Sequence, residues 1–432
     1  MSSTRCDLAL AVWTVVVGAT RRQYLVQRLV LGTLLSVMVA CFAPHPPAGA
    51  PCSAGGNCPD GLVCSPATNT CELTATDGSP TDVHDLDAPA LLDQSWISSG
   101  NLGQARNSYS FVNLTATRLP NGKVLVAGGY TGSAVLASCE LYDPTTKAWT
   151  TTDAMATPRV WHSATLLQSG KVLVAGGRSS LADGALATAE LYDPATGRWT
   201  ATAPMHSARA THSATLLRGG MVLVVGVSTP NAERYDPVAG TWTVIAPPKF
   251  SHQAHTATLL QNNQVLVVGD TGFTVTTSSA ELYDPIAGTW TQTGSITPAR
   301  YDHTATLLPN GKVLVASGYD PNIANNVVTA NLYDPATGTW SAANPMAGGR
   351  ARANAVLLPN GKVLVVGGYK TGVGFLATAE LYDPTAGTWA PTRNALTTPR
   401  ADFTLTLLAN GKAIAAGGES STGALASTES YE

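Results

Sequence analysis

From about residue 106 onward, short apolar runs alternate with clusters of Gly, Pro, Asn and Asp. One stretch shows the pattern. HSATLL, beginning at His162, is followed by KVLVAGG, beginning at Lys171, and then by AELY at Ala189–Tyr192. Runs this short suit strands joined by tight turns, because glycine and proline serve turns and disfavour helices. Between the first and second strands of other units stand Asn121-Gly122, Asn310-Gly311, Asn360-Gly361 and Asn410-Gly411. Asn-Gly predicts a hairpin with a type I′ turn. After the third strand, Asp193-Pro194-Ala195-Thr196-Gly197 predicts a second turn, with Pro fixing φ and Gly taking the left-handed position. The fourth strand then opens on a tryptophan.

The pattern repeats. Trp149, Trp199, Trp242, Trp290, Trp340 and Trp389 recur at intervals of 50, 43, 48, 50 and 49. Seven residues before each lies the tyrosine of a Tyr-Asp-Pro triplet: Tyr142, Tyr192, Tyr235, Tyr283, Tyr333 and Tyr382. Upstream again come Gly128-Gly129, Gly176-Gly177, Gly367-Gly368 and Gly417-Gly418, degraded elsewhere to Gly226-Val227, Gly269-Asp270 and Ser317-Gly318. Four antiparallel strands per unit of about 48 residues make a propeller blade. Six units are complete, and a seventh runs from Arg400 to Glu432 without its tryptophan strand. Trp96 supplies it. It stands ten residues before Arg106, the offset that separates Trp149 from Arg159 and Trp199 from Arg209. The sequence therefore predicts an all-β, seven-bladed propeller of four-stranded blades, closed by an N-terminal strand near Trp96 that removes two free sheet edges.

The order of strand, double glycine, Tyr-Asp and tryptophan resembles the Kelch motif, over about 330 residues. The resemblance implies a propeller of the galactose oxidase/Kelch-like superfamily, similar to secreted or lipoprotein Kelch proteins of bacteria. In that family the glycines allow close packing, and the Tyr and Trp pack between neighbouring blades.

Ahead of the repeats the chain changes character. Residues 1–41 read as an export signal: arginines at 5, 21, 22 and 28 precede the apolar stretch Leu29 to Ala40, which is too short to span a bilayer. Val39-Ala40-Cys41 resembles the lipobox of bacterial lipoproteins, which implies lipidation at Cys41. Residues 42–73 hold Cys52, Cys58, Cys64 and Cys71. Their spacing lacks the tight pairs of zinc sites, and an even number in an exported chain predicts two disulfides with open connectivity. Residues 74–93, with Asp77, Asp82, Asp85, Asp87 and two prolines, read as a solvated spacer before the propeller at 94–432. The expected location is outside the cytoplasm, secreted or held at the outer membrane by the lipid anchor alone.

Charge and chemistry narrow the function. A net charge of −3 gives no reason to expect nucleic acid as a partner. His162, His212, His255 and His303 open the innermost strand of four successive blades, so they could converge at one mouth as metal ligands. The competing reading makes each a backbone-bonding part of its own blade, and repetition favours that one. The arginines at 106, 159, 209, 300, 350 and 400 are read as structural, paired to carboxylates or carbonyls. A copper-radical oxidase of the galactose oxidase type has the same fold, but its ligand pattern is not found. Tyr301 stands two residues before His303 rather than beside it, and Cys139 replaces an alanine of the third strand. The expectation is a non-catalytic binding module, monomeric and without a cofactor, that recognises an unknown protein or glycan. A structural envelope protein is the remaining alternative. The loops 130–136, 178–186, 319–328 and 369–376 vary most between blades and are the expected contact face.

Overall fold

The computed structural model describes residues 94–109, 114–226, 231–269 and 278–432, together with the short strands Val63–Ser65 and Thr70–Glu72. The chain separates into two compact units, Met1–Leu86 and Asp87–Glu432.

The second unit is the propeller. Its seven sheets have four strands each. Blade 2 illustrates the order, with the inner strand Ser163–Leu166 followed by Val172–Ala175, Ala189–Asp193 and the outer strand Arg198–Thr202. The inner strands of blades 1 to 7 begin at Ala116, Ser163, Ser213, Thr256, Thr304, Asn354 and Thr404. Each touches the next, and the last touches the first. The second strands are wholly buried because both of their faces meet neighbouring blades, which is why they read as unbroken Val/Leu/Ala runs.

The tyrosines and tryptophans staple one blade to the one before it. In each pair the rings lie 4.9–5.3 Å apart across the third and fourth strands. Tyr192 meets Thr152 of blade 1 at 2.9 Å, and Tyr235 meets Thr202 of blade 2 at 2.7 Å. Trp199 Nε1 donates to Asp153 O at 2.9 Å, and Trp242 Nε1 to Ala203 O at 2.8 Å. An indole N–H is donor-only, so a carbonyl on the neighbouring blade both satisfies it and fixes the blade angle.

Closure repeats the strand pairing and the ring contact, while Trp96 Nε1 stays buried without a hydrogen-bond partner among the described residues. Trp96–Asn101 is the outer strand of blade 7, pairing with Ser427–Tyr431, with Trp96 opposite Tyr431. Their rings are 5.3 Å apart, as in the other six Tyr–Trp pairs. Trp149 of blade 1 then donates to Thr428 of blade 7 at 3.2 Å.

Two expectations are corrected. The first concerns the Asn-Gly turns, which are not type I′. Gly122 has φ of 83°, but Asn121 has negative φ, and Gly122 N donates to Leu119 O at 3.0 Å. That is a type I turn over Pro120-Asn121 with a glycine bulge after it, the three-residue hairpin. Proline at the first corner suits type I, and the dipeptide alone does not reveal it. In blade 4 Asn263, at φ 71°, fills the glycine position. The second concerns the disulfide bonds expected among Cys52, Cys58, Cys64 and Cys71. Among the described residues there is no disulfide bond, and Cys139 is free. Cys64 and Cys71 are register partners in the two-stranded sheet of Val63–Ser65 with Thr70–Glu72, and backbone pairing joins those strands. An even cysteine count says which bonds oxidising surroundings permit, whereas a bridge also needs sulfurs within bonding reach. Cys41, Cys52 and Cys58 lie outside the described residues, as do the leader and most of the spacer.

Candidate functional site at the channel mouth

Antiparallel pairing puts the start of each inner strand beside the end of the second strand, as in Ser163 opposite Ala175. The histidines, the glycine pairs and the variable loops therefore share one end of the propeller. The loops are β-hairpins: Tyr319–Asp320 pairs with Asn325–Asn326, and Tyr369–Lys370 with Gly374–Phe375. Single bridges tie Tyr130 to Val135 and Arg178 to Ala185. The hairpin tips of blades 5 and 6 carry the exposed apolar side chains Ile323 and Val373.

Beneath this face every blade but the fourth is locked by a buried arginine. Arg159 donates to Gly176 O and Thr188 O, both at 2.9 Å, and to Glu190 at 2.9 Å. Arg209 does the same for blade 3 through Glu233 at 2.7 Å, and Arg350 for blade 6 through Glu380 at 2.6 Å. The arginines thus take the structural role. Blade 5 uses Asn331 in place of the carboxylate, at 2.7 Å from Arg300. Blade 4 replaces the arginine itself: His252 bonds Gly269 O at 2.9 Å and Glu281 at 3.0 Å. His252 stands ten residues after Trp242, so the repeat offset would have found it.

His162, His212, His255 and His303 do come together, lining one cavity of about 310 Å³ on the propeller axis. Each Nε2 meets a hydroxyl on the preceding blade: Thr115, Ser163, Ser213 and Thr256, at 2.8–2.9 Å. The bond runs between blades, not within one. Burial, and then the adjacent arginine charge, pull His162, His212 and His303 down to about 3; burial, and then His252, push His255 well down. All four are neutral near pH 7. Among the described residues no group of three or more His, Cys, Asp or Glu is placed to hold a metal ion.

The glycine pairs now have a cause. A Cβ on Gly128, Gly176, Gly226 or Gly269 would lie 2.5–3.0 Å from Cε1 of the next blade's histidine. On Gly367 it would lie 3.0 Å from the Phe403 ring. The single exception at this first-glycine position is Ser317, and there the next blade carries Ala353 where the others carry a ring or Leu114. At Gly128, Gly176 and Gly367 the next blade's arginine carbonyl oxygen is closer still, so backbone and ring together exclude a side chain there.

One step nearer the mouth, the residue before each of these positions has φ between 47° and 60°: Trp161, Thr211, Ala254, Asp302, Arg352 and Asp402. This conformation is uncommon for residues other than glycine, and it aims backbone groups around the ring. Thr211 N donates to Trp161 O at 2.9 Å, Asp302 N to Ala254 O at 3.1 Å, and Arg352 N to Asp302 O at 3.1 Å. The rim is charged only on the side of blades 5 to 7, where Arg352 donates to both oxygens of Asp402 and to Glu419 at 2.7 Å. Sequence reasoning passed over Asp302, Arg352 and Asp402. Aligning the residue before each inner-strand histidine would have revealed them as charged departures from the repeat.

Cys139 is buried among Met155, Val174 and Tyr192, and burial pushes its thiol up to about 11. Tyr301 packs on Tyr319, with ring centroids 5.5 Å apart.

Comparison with known proteins agrees with the architecture. The Kelch motif matches residues 116–155, 163–206 and 350–394. No curated protein matches the sequence. Among solved structures, a "novel fungal alcohol oxidase with catalytic diversity among the AA5 family, in complex with copper" is 20% identical, with a TM-score of 0.61, covering 78% of this chain and 75% of that one. The structure of YjhT is 14% identical, with a TM-score of 0.53, covering 67% of this chain and 98% of that one. At these identities the likeness is one of fold.

Proposed function

Because the chain is a seven-bladed β-propeller built of Kelch-type repeats, we propose that it is a non-catalytic binding module, displayed outside the cytoplasm, that recognises a protein or glycan with its hairpin-bearing face. One observation carries this reading: the departures from the repeat gather on that face. Most blades are held by recurring Tyr, Trp and Arg contacts, with His252 in the arginine's place in blade 4, whereas the hairpins differ in length and sequence and expose Ile323 and Val373 at their tips. A rigid ring presenting variable hairpins suits recognition. The export signal and the lipobox-like Cys41 support display beyond the membrane.

The test is to shorten the hairpins of blades 1, 2, 5 and 6 one at a time to a Gly-Gly turn, then repeat capture from envelope extracts and glycan arrays. Folding should persist in each variant, and partner binding should vanish in at least one. Unchanged binding across all four overturns the reading. So would stoichiometric copper in the purified protein, which would favour the oxidase instead.

A further inference from the structure

Charge is distributed unevenly around the axial mouth. On the side of blades 2 to 4 the rim positions are Trp161, Thr211 and Ala254; on the side of blades 5 to 7 they are Asp302, Arg352 and Asp402. Arg352 is already committed to Asp402 and Glu419. Asp302 is left over. Its carboxyl lines the cavity, where the residue is partly exposed, and forms no side-chain hydrogen bond with any described residue. The titratable groups around it offer no free positive charge. Asp402 and Glu419 are acidic, Arg352 is spoken for, and His255 and His303 stay neutral. Burial and then the Asp402 charge push the Asp302 carboxyl up to about 8, with partial relief from Arg352. Such a group lacks a cation.

A metal ion would need several converging ligands, and the described residues gather none around one point. An organic ammonium needs less: one carboxylate and a few acceptor oxygens. The hydroxyls of Ser163, Ser213 and Thr256 line the cavity, and each keeps acceptor capacity beyond its histidine bond. The volume, about 310 Å³, equals that of roughly ten waters.

We propose that the axial cavity binds the primary ammonium group of a small aliphatic amine, with Asp302 as its counter-charge. This rests on the hairpin-bearing face being a recognition surface, and it adds a ligand class to that face. The two ideas fail separately, because shortening the hairpins leaves the cavity in place.

The experiment is calorimetric titration of the full chain near pH 7 with 4-aminobutanol and with 1,4-butanediol, which differ in an ammonium against a hydroxyl. Running it in two buffers of different ionisation heat counts protons. The amine should bind about tenfold or more tighter than the diol, with proton release as Asp302 ionises. Asp302→Asn should abolish both the preference and the release. Asn tolerates positive φ, and the carboxyl it replaces holds no bond within the protein, so the variant should fold; an unchanged circular dichroism spectrum checks this. Equal affinities for amine and diol, no binding of either, or a preference that survives in Asp302→Asn would each overturn the proposal.

Discussion

Blades 2 to 4 and blades 5 to 7 build the same channel mouth with different residues. In the first group each inner strand is preceded by a neutral residue and a histidine; in the second the preceding residues are Asp302, Arg352 and Asp402, and only blade 5 keeps the histidine. The backbone does not register the change, since all six rim positions share the same positive φ. What repeats around the ring therefore holds the ring together. What breaks the repeat without bending the backbone is free to serve a ligand.

The comparison can be broken most severely at a repeated position. Arg209 and Glu233 are both fully buried, and removing the guanidinium leaves a carboxylate without its cation. Arg209→Ala should cost about 3–5 kcal/mol in denaturant unfolding. A loss under 1 kcal/mol would mean that the lock is decorative.

At the non-repeated rim the sign reverses. Asp302 keeps its proton up to about pH 8 in the folded chain but releases it near 3.8 when unfolded. The folded state thus binds more protons across that window, and this group's contribution to stability falls as pH rises through it. Asp302→Asn should raise stability at pH 8 by on the order of 2 kcal/mol, less than the full linkage value because cavity water screens the group. The gain should fade toward pH 4. A variant that is less stable at pH 8 would contradict the account.

The smallest effect is expected at a histidine. Phe403 already occupies this position in blade 7 and packs against Gly367. His212→Phe keeps the ring contact and loses one hydrogen bond, so it should cost about 1 kcal/mol at pH 7. The wild-type histidines hold folded-state values near 3 against 6.5 when unfolded, so their contribution is complete above pH 6.5 and is lost as pH falls toward 3. The phenylalanine variant should show a flatter melting curve against pH over that range. An equal slope would place the acid sensitivity elsewhere.

The sequence alone determined the architecture, down to the strand that closes it. Trp96 and Tyr431 are far apart in the chain, yet the repeat offset names them as partners because a ring forces its two ends into one blade. It also identified the arginines as structural and brought the four histidines to one mouth. Tertiary structure decided what those groups do. A histidine before a strand reads the same whether it faces a metal or a hydroxyl on the next blade, since the partner lies more than 40 residues away and is itself an ordinary Ser or Thr. The Asn-Gly turns differ from expectation for a related reason, because the length of the loop between the paired Leu and Lys, as in Leu119–Lys123 and Leu408–Lys412, selects the turn and the dipeptide alone does not. The cysteine count implied bridges because composition records which bonds are permitted and carries no distances. Asp302 became visible only when the ring was closed, for its isolation is a property of what lines the cavity on six other blades and of nothing adjacent in the chain.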